Sequence, residues 1–547
     1  MSAGFSFSRN HLNAKEERLQ RVCEILPGCM SWTILLGMIA LSIYKPLIAA
    51  VIIIAFYLYW IMRLFYLTIF LVLSYFRLSI EKKTDWMKRV CGMDNLEEYA
   101  RSIKGVEGKE DLRKKISRVI HYLEVEKIRR LEKKTPRSDE LYHVVIIPIA
   151  KEQREIVEPG IKSLAKSIFP TNRMLVVLAL EERATTEVKR GAEEIHDSYK
   201  KCFLDLIVVP HPDGIIGEAR VKGANATYAA KRAAEFFEKR NIPFENVICS
   251  CFDADTVVNP EYFAALTYYF LTCPNRKLAS FQPVPVYNNN IWEAPGITRV
   301  LEVGSSFFQL VEATNPEQLV TFSSHSMSFK ALVDVGYWPV DMISDDSAIF
   351  WKAFIHYDGN YRVVPMYTML SMDAVVGNDW WDTVKKVYKQ KRRWAWGVEN
   401  FPIVTRAFLQ NNRISLVKRF RNGFKLFEGH VSWATWSFIL TIIGWLPAIF
   451  ATKDYSQSVM YYSTPRIARI IFNCASISLL TSIFLSLRLL PKGREHGGFL
   501  KKLGFAMQWL LIPLTIVSLS ALPALDAQTR LMFGRYMTFW VTDKKRK

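Results

Sequence analysis

Two nearly unbroken hydrophobic runs near the N-terminus set the first limit on this chain: Cys29 to Tyr44, then Lys45-Pro46, then Leu47 to Phe76. A membrane helix needs about 20 apolar residues, so two closely spaced spans are predicted. Buried helices of a water-soluble core are seldom so long and so uniformly apolar. Arg63 interrupts the second run. A charge at mid-bilayer costs about 2.5–3.5 kcal/mol on insertion scales, so Arg63 should reach the interface or face protein. Three further apolar segments close the chain: His430 to Ala451, Ile467 to Leu490 and Phe505 to Leu525. The loop Pro491 to Lys502 carries Lys492, Arg494, Lys501 and Lys502 and is expected in the cytosol. Three full spans would then put Lys544 to Lys547 outside, against the same rule, whereas Pro513 and Pro523 leave a re-entrant last segment open. No small-residue cleavage site follows the first run, so no removable signal peptide is expected.

The formal net charge is +20, and half of the residues are hydrophobic. Nucleic-acid binding would explain the charge but not the spans. Basic loops against an anionic cytoplasmic leaflet explain both, so the lipid bilayer is the expected partner and nucleic acid is not. Eight cysteines show no CxxC or other metal-ligand spacing. Cys249 and Cys251 read as buried thiols in a reduced, cytosolic setting. The chain divides into a cytosolic N-terminal segment (1–28), two transmembrane helices (29–78), a Lys- and Glu-rich amphipathic connector (79–140), a soluble α/β domain (141–401), amphipathic interface helices (402–429) and C-terminal spans with a basic tail (430–547). In the interface segment Arg406, Arg413, Lys418, Arg419, Arg421 and Lys425 alternate with Phe408, Leu416, Phe420, Phe424 and Leu426.

Within 141–401, apolar strand-like runs alternate with stretches long enough for helices. The strands are expected at Val144 to Pro148, Met174 to Leu180, Phe203 to Pro210 and Val247 to Cys251. That alternation predicts a mostly parallel sheet. Neither GxGxxG nor GxxxxGK[ST] follows any of them, which argues against dinucleotide and P-loop folds. The fourth strand runs into Asp253-Ala254-Asp255, and a turn at Asn259-Pro260 follows. In open α/β sheets ligands bind beyond the carboxyl ends of strands. Two acids at such an end repel unless a cation or a donor-rich ligand lies between them. Hard carboxylate oxygens suit Mg²⁺ or Mn²⁺, which commonly also hold substrate phosphates. A solvated turn would look the same if the pair stood alone.

Four further features share this domain. Lys222-Gly223-Ala224-Asn225 opens a helical run and could bring a cation to a phosphate; a lone lysine is more commonly surface. Phe281-Gln282-Pro283 could end another strand. Ser344-Asp345-Asp346 precedes an apolar helix, where acids also serve simply to favour a helix N-terminus. Gln390-Lys391-Arg392-Arg393-Trp394 joins an amide, guanidinium forks that grip phosphate and an indole that can stack on a sugar. A basic interfacial segment would share that composition.

In order and spacing, Asp253-x-Asp255, the acid pair ending in Asp346, and Gln390-x-x-Arg393-Trp394 resemble the membrane-embedded family 2 glycosyltransferases, the group of cellulose and hyaluronan synthases. The resemblance implies a GT-A type, mostly parallel α/β catalytic domain flanked by transmembrane helices. It implies an inverting transfer of a sugar from a nucleotide-diphosphate donor to a polysaccharide or lipid acceptor, with Mg²⁺ or Mn²⁺ held by Asp253 and Asp255. Asp346 would be the general base. Asp253, Gln390 and Arg393 would bind the donor diphosphate, joined by Lys222 on its own chemistry as a cation near a phosphate, and Trp394 would stack on the acceptor. Pro148 and Glu152 match the ends of the family's P-x-Y-N-E loop, while Ala150 and Lys151 depart from it. Glu181 stands where the family's second strand ends in Asp. An integral protein of the cell or inner membrane with a cytosolic catalytic domain follows. A transporter or channel with a cytosolic α/β regulatory domain would explain the spans, but it leaves the ordered acids without a purpose.

Overall fold

The computed structural model describes residues 5–10, 12–104, 111–131, 135–489 and 499–540. Its centre is one eight-stranded sheet of order β3-β2-β1-β4-β7-β6-β8-β5. The strands are β1 (Tyr142–Ile149), β2 (Met174–Glu181), β3 (Asp205–His211), β4 (Val247–Cys251), β5 (Val257–Val258), β6 (Ala279–Tyr287), β7 (His325–Ser328) and β8 (Arg362–Met372). Pairings β3-β2, β2-β1, β1-β4 and β6-β8 are parallel, and β4-β7, β7-β6 and β8-β5 are antiparallel. The parallel half is the part that the alternating runs predicted. Its strands read as continuous apolar runs because both faces are covered. Val144 and Ile146 pack beneath the helix Lys222–Glu238, and Val145, Ile147 and Ile149 pack on the opposite side against the helices Arg154–Ala165, Thr186–Tyr199 and Tyr262–Leu271. Each fully buried Val or Ile contributes about 1.5–3 kcal/mol. Ala226, Ala229, Ala230 and Ala233 let the helix Lys222–Glu238 lie close on the sheet.

Phe281-Gln282-Pro283 sits inside β6 rather than at its end. Pro283 has no N–H for the ladder, and the β6–β8 register shifts between Gln282 and Val284. β7 enters beside β4 in the antiparallel sense, so Asp253 and Asp255 leave β4 at the seam where the sheet changes direction.

Four described helices are long and apolar enough to cross a membrane: Ala14–Tyr44, Pro46–Glu81, Val459–Leu489 and Leu503–Met532. Leu416–Thr441 with Ile443–Ile449, bent by 44°, would make a fifth. The first helix starts well before Cys29, because Asn13 and Glu16 form a capping box that nucleates it within the basic segment. Arg63 faces protein: its guanidinium pairs with Glu428 at 3.2 Å and donates to the Tyr59 hydroxyl oxygen at 3.0 Å. The last apolar segment passes through Pro513 and Pro523 with a π-helical turn at Val517–Ala521. The basic loop expected at Pro491 to Lys502 and the tail Lys544 to Lys547 lie outside the described residues or have undescribed side chains.

The segment expected at the interface divides in two. Asn400–Gln410 is a domain helix, and Arg406 is buried, donating to the carbonyls of Ser6 and Ser8 and to Gln20. A cation with so many protein acceptors gains nothing from lipid headgroups. In Leu416–Thr441 basic residues pair with acids of the α/β domain: Arg421 with Glu317, and Lys425 with Glu312. Leu416, Val417 and Phe420, each more than 70% exposed, turn outward.

Candidate active site

The site forms where the ends of β4 and β7, the N-terminus of the helix Lys222–Glu238 and the N-terminus of the helix Asp345–His356 meet. Lys222 is its hub. Its ammonium lies 2.8 Å from Asp253 Oδ1 and 2.8 Å from Asp346 Oδ1. Burial works against its charge, but the two carboxylates prevail and hold the ammonium well above the usual lysine range. Gly223 makes this approach possible. A Cβ there would lie 2.4 Å from the Pro339 carbonyl oxygen and 3.0 Å from Asp345 Cβ.

Asp346 occupies the first turn of its helix, where the helix dipole favours a carboxylate, and its Oδ1 faces the Lys222 ammonium. Asp345 is buried, and burial, then the neighbouring Asp346 carboxylate, push its carboxyl well up. Asp255 is fully buried, and its Oδ2 accepts the Asp373 N–H at 2.8 Å. Asn289 braces the same turn by donating to the Asp255 carbonyl and to Asp373 Oδ1.

A hydroxyl-rich loop, Thr321 to His325, joins these parts, and the sequence reading missed it. Ser323 donates to Asp253 Oδ2 at 2.8 Å, and Ser324 Oγ accepts the Asp253 N–H at 2.9 Å. Thr321 Oγ1 donates to the Asp346 carbonyl at 2.6 Å. Phe322 packs edge-on against Trp394. Ser323 has φ 49°, a left-handed conformation that a serine adopts at a cost and that recurs at functional sites. The only advance signal was the run Thr-Phe-Ser-Ser-His itself.

The helix Trp380–Ala395 supplies the remaining residues. Trp394 lies between Tyr287 and Phe322, with the Lys391 ammonium 3.7 Å from its ring centre. Lys391 is fixed by the buried Glu302 at 3.2 Å and by Ser305 at 3.0 Å. Gln390 is buried, and its Oε1 has no hydrogen-bond partner among the described residues. Arg393 stacks over the Phe539 ring at 5.3 Å.

The remaining predicted site residues lie towards the other strand ends. Pro148 is near the end of β1. Glu152 accepts from the Ala150 and Lys151 N–H groups and so shapes its own loop. Glu181 ends β2, pairs with Arg183, and lines a cavity with His211, Asp213 and Arg220. Cys249 and Cys251 are buried, and burial raises both thiols.

A model of the glycosyl transferase family group 2 matches residues 249–518, which takes in Asp253, Asp255, the Thr321 to His325 loop, Asp346, Gln390, Arg393 and Trp394 but not Lys222 or the β1 and β2 ends. A poly-β-1,6-N-acetyl-D-glucosamine synthase of Staphylococcus aureus strain COL is 28% identical over 200 residues, 35% of this chain and 43% of that protein. The match thus spans less than half of that relative's length. The synthase of the same name from Staphylococcus epidermidis is 26% identical over 329 residues, 57% of this chain and 68% of that one. A mannosyltransferase from Pyrobaculum calidifontis, solved with GDP-Man and Mn²⁺, overlaps 78% of this chain and 99% of its own at 13% identity, with a TM-score of 0.35, a likeness too loose to argue from. The matched residues run from the strand that leads into the two aspartates to the last apolar segment, with the acid pair and the Gln390, Arg393 and Trp394 set between them in order, and the family match and the two synthases together support a family 2 glycosyltransferase.

Proposed function

We propose that this chain is a membrane-embedded inverting glycosyltransferase that moves a sugar from a nucleotide-diphosphate donor to a growing polysaccharide, using Mg²⁺ or Mn²⁺. The observation that carries the reading is the Lys222 ammonium bridging Asp253 and Asp346 at 2.8 Å each. It brings the acids after β4 and the acid pair, distant in sequence, to one point. The relatives are synthases of a β-1,6-linked N-acetylglucosamine polymer, which supports a carbohydrate acceptor over a lipid one.

The two carboxylates after β4, Asp253 and Asp255, are hard oxygen donors of the kind a divalent ion takes. Among the described residues no group of three or more His, Cys, Asp or Glu gathers to hold an ion by itself. Asp253 and Asp255 would therefore share it with the donor phosphates, the usual arrangement for Mg²⁺. When bound, the ion supplies charge compensation for the leaving diphosphate. Lys222, Gln390 and Arg393 would bind that same diphosphate end. Asp346 would take the acceptor hydroxyl proton, and a single displacement with one base inverts the anomeric centre. Trp394, held from both sides, would present its face to the acceptor sugar. Pro148, Glu152 and Glu181 would line the base end of the donor. The domain 141–401 would lie in the cytosol, where nucleotide sugars are found.

The test is a panel of nucleotide sugars presented to purified protein in lipid nanodiscs, scored for nucleoside diphosphate release and product size. Release should stop in EDTA, return with Mn²⁺ or Mg²⁺, and be absent in Asp255→Asn. Full activity in chelator would remove the metal from the proposal, and no release from any donor would remove the activity.

A further inference from the structure

The acid pair needs more than Lys222 to stay where it is. It begins the helix Asp345–His356, whose first N–H groups have no partner within the helix. Ser344 stands at the N-cap position, yet its side chain makes no capping bond. Its hydroxyl is committed elsewhere. Ser344 Oγ donates to Glu399 Oε1 at 2.8 Å, the Ser344 N–H donates to the same oxygen at 2.9 Å, and the Ile343 N–H does so at 3.0 Å. The other oxygen, Glu399 Oε2, accepts the indole N–H of Trp396 at 2.9 Å. Both Glu399 and Trp396 are buried. Asn400 completes the joint, donating to Ser344 Oγ and Ser347 Oγ at 3.0 Å each.

Glu399 ends the 3-10 turn Trp396–Glu399, which continues the helix carrying Gln390, Arg393 and Trp394. One carboxylate therefore holds the backbone just before Asp345-Asp346 to the segment just after Trp394. We infer that Glu399 is a positioning residue that sets the base, Asp346, at a fixed distance from the acceptor platform, Trp394. The inference rests on the glycosyltransferase reading above. Glu399 touches neither Asp346 nor any reacting atom, and it acts through the Ile343-Ser344 backbone.

The chemistry calls for a carboxylate at this position. Four donors converge on two oxygens, and both oxygens must accept. A glutamine offers one acceptor oxygen and an NH₂. With its oxygen towards Ser344, the NH₂ meets the Trp396 N–H. With its oxygen towards Trp396, the NH₂ meets two backbone N–H groups. Either way, donor faces donor in a buried place. The Ser344 loop must then move, and with it Asp346. A misplacement of about 1 Å at a reacting group costs on the order of 10²-fold in rate.

The test uses the full-length protein in nanodiscs with a nucleotide sugar that the wild type turns over. Glu399→Gln should lower kcat by about 10²-fold while donor Kd and the number of donor sites per protein stay within twofold. Ser344→Ala, which removes one of the four donors, should lower kcat in the same direction by a smaller factor, again without a change in donor sites. A Glu399→Gln kcat within twofold of wild type would overturn the inference. So would a loss of kcat matched by an equal loss of donor sites, because that is a folding defect. If Glu399→Gln does not fold, Ser344→Ala decides, and an unchanged kcat there overturns the inference. A wild type that turns over no nucleotide sugar removes the parent reading instead, and this inference falls with it.

Discussion

Gly223→Ala should slow the enzyme without replacing any charged residue. The added Cβ would lie 2.4 Å from the Pro339 carbonyl oxygen, where ordinary contact begins at 3.4 Å. Relief requires the helix Lys222–Glu238 and the 339–345 loop to part by about 1 Å, as the contact distances imply. The loop cannot simply swing away. The Ala219 N–H donates to the Val340 carbonyl at 2.9 Å, and Thr227 Oγ1 donates to the Trp338 carbonyl at 3.1 Å, so it is tied on both sides of the clash. Overpacking of this kind costs about 1–3 kcal/mol. The Lys222–Asp346 contact, now 2.8 Å, would be carried beyond hydrogen-bond range by the same displacement. Misplacing Asp346, the proposed base, by about 1 Å should cost on the order of 10²-fold in turnover. The assay is nucleoside diphosphate release by the purified variant, with a thermal melt alongside. A melting temperature lower by about 2–4 °C per kcal/mol is expected for a domain of this size. Gly304→Ala is the control, since nothing lies within 4 Å of a Cβ there. Turnover of Gly223→Ala within twofold of wild type would refute the claim that this close approach sets the Lys222–Asp346 geometry.

Asp346→Asn should lower turnover by about 10²–10⁴ and spare donor affinity, whereas Trp394→Ala should raise the acceptor requirement or shorten the product; normal turnover in Asp346→Asn would return the acid pair to a purely structural role. Asp345 carries a pH signature. Burial and Asp346 raise its folded pKa above the unfolded value of about 4, so its contribution is full below that pH and is lost as pH rises through the folded value. Asp345→Asn should therefore gain stability relative to wild type as pH is raised from about 5 to about 8, and a difference in melting temperature that does not change with pH would contradict this. Finally, Cys202 is exposed on the α/β domain, so a variant keeping it as the only cysteine should escape an impermeant maleimide in intact cells. Labelling from outside would place the domain on the wrong side.

Much of the site could be read along the chain because strand ends and helix starts leave local marks. Asp253 and Asp255 follow five buried residues of β4, and Asp346 precedes a run of apolar ones. Other parts left no such mark. β7, His-Ser-Met-Ser, is short and largely polar, with no apolar alternation to announce a strand. It is buried because Ser250 and Ser326 satisfy one another at 2.7 Å across the β4–β7 pair, a match that neither strand shows alone. The loop before it, with Ser323 and Thr321, was hidden for the same reason. Its basic neighbours mark Arg406 as interfacial, yet its acceptors come from Ser6, Ser8 and Gln20, nearly four hundred residues away.

By itself the amino-acid order determined the parallel half of the sheet, the apolar helices and the residue types able to handle a diphosphate, because periodicity and strand-end chemistry are properties of neighbouring residues. Tertiary structure alone decided that Lys222 would stand between Asp253 and Asp346, and that Glu399 would hold the loop of the acid pair. Those contacts depend on the antiparallel entry of β7 beside β4 and on a helix approach that only Gly223 permits. Their energies arise between groups more than thirty residues apart, and no local pattern records which carboxylate a buried cation will meet.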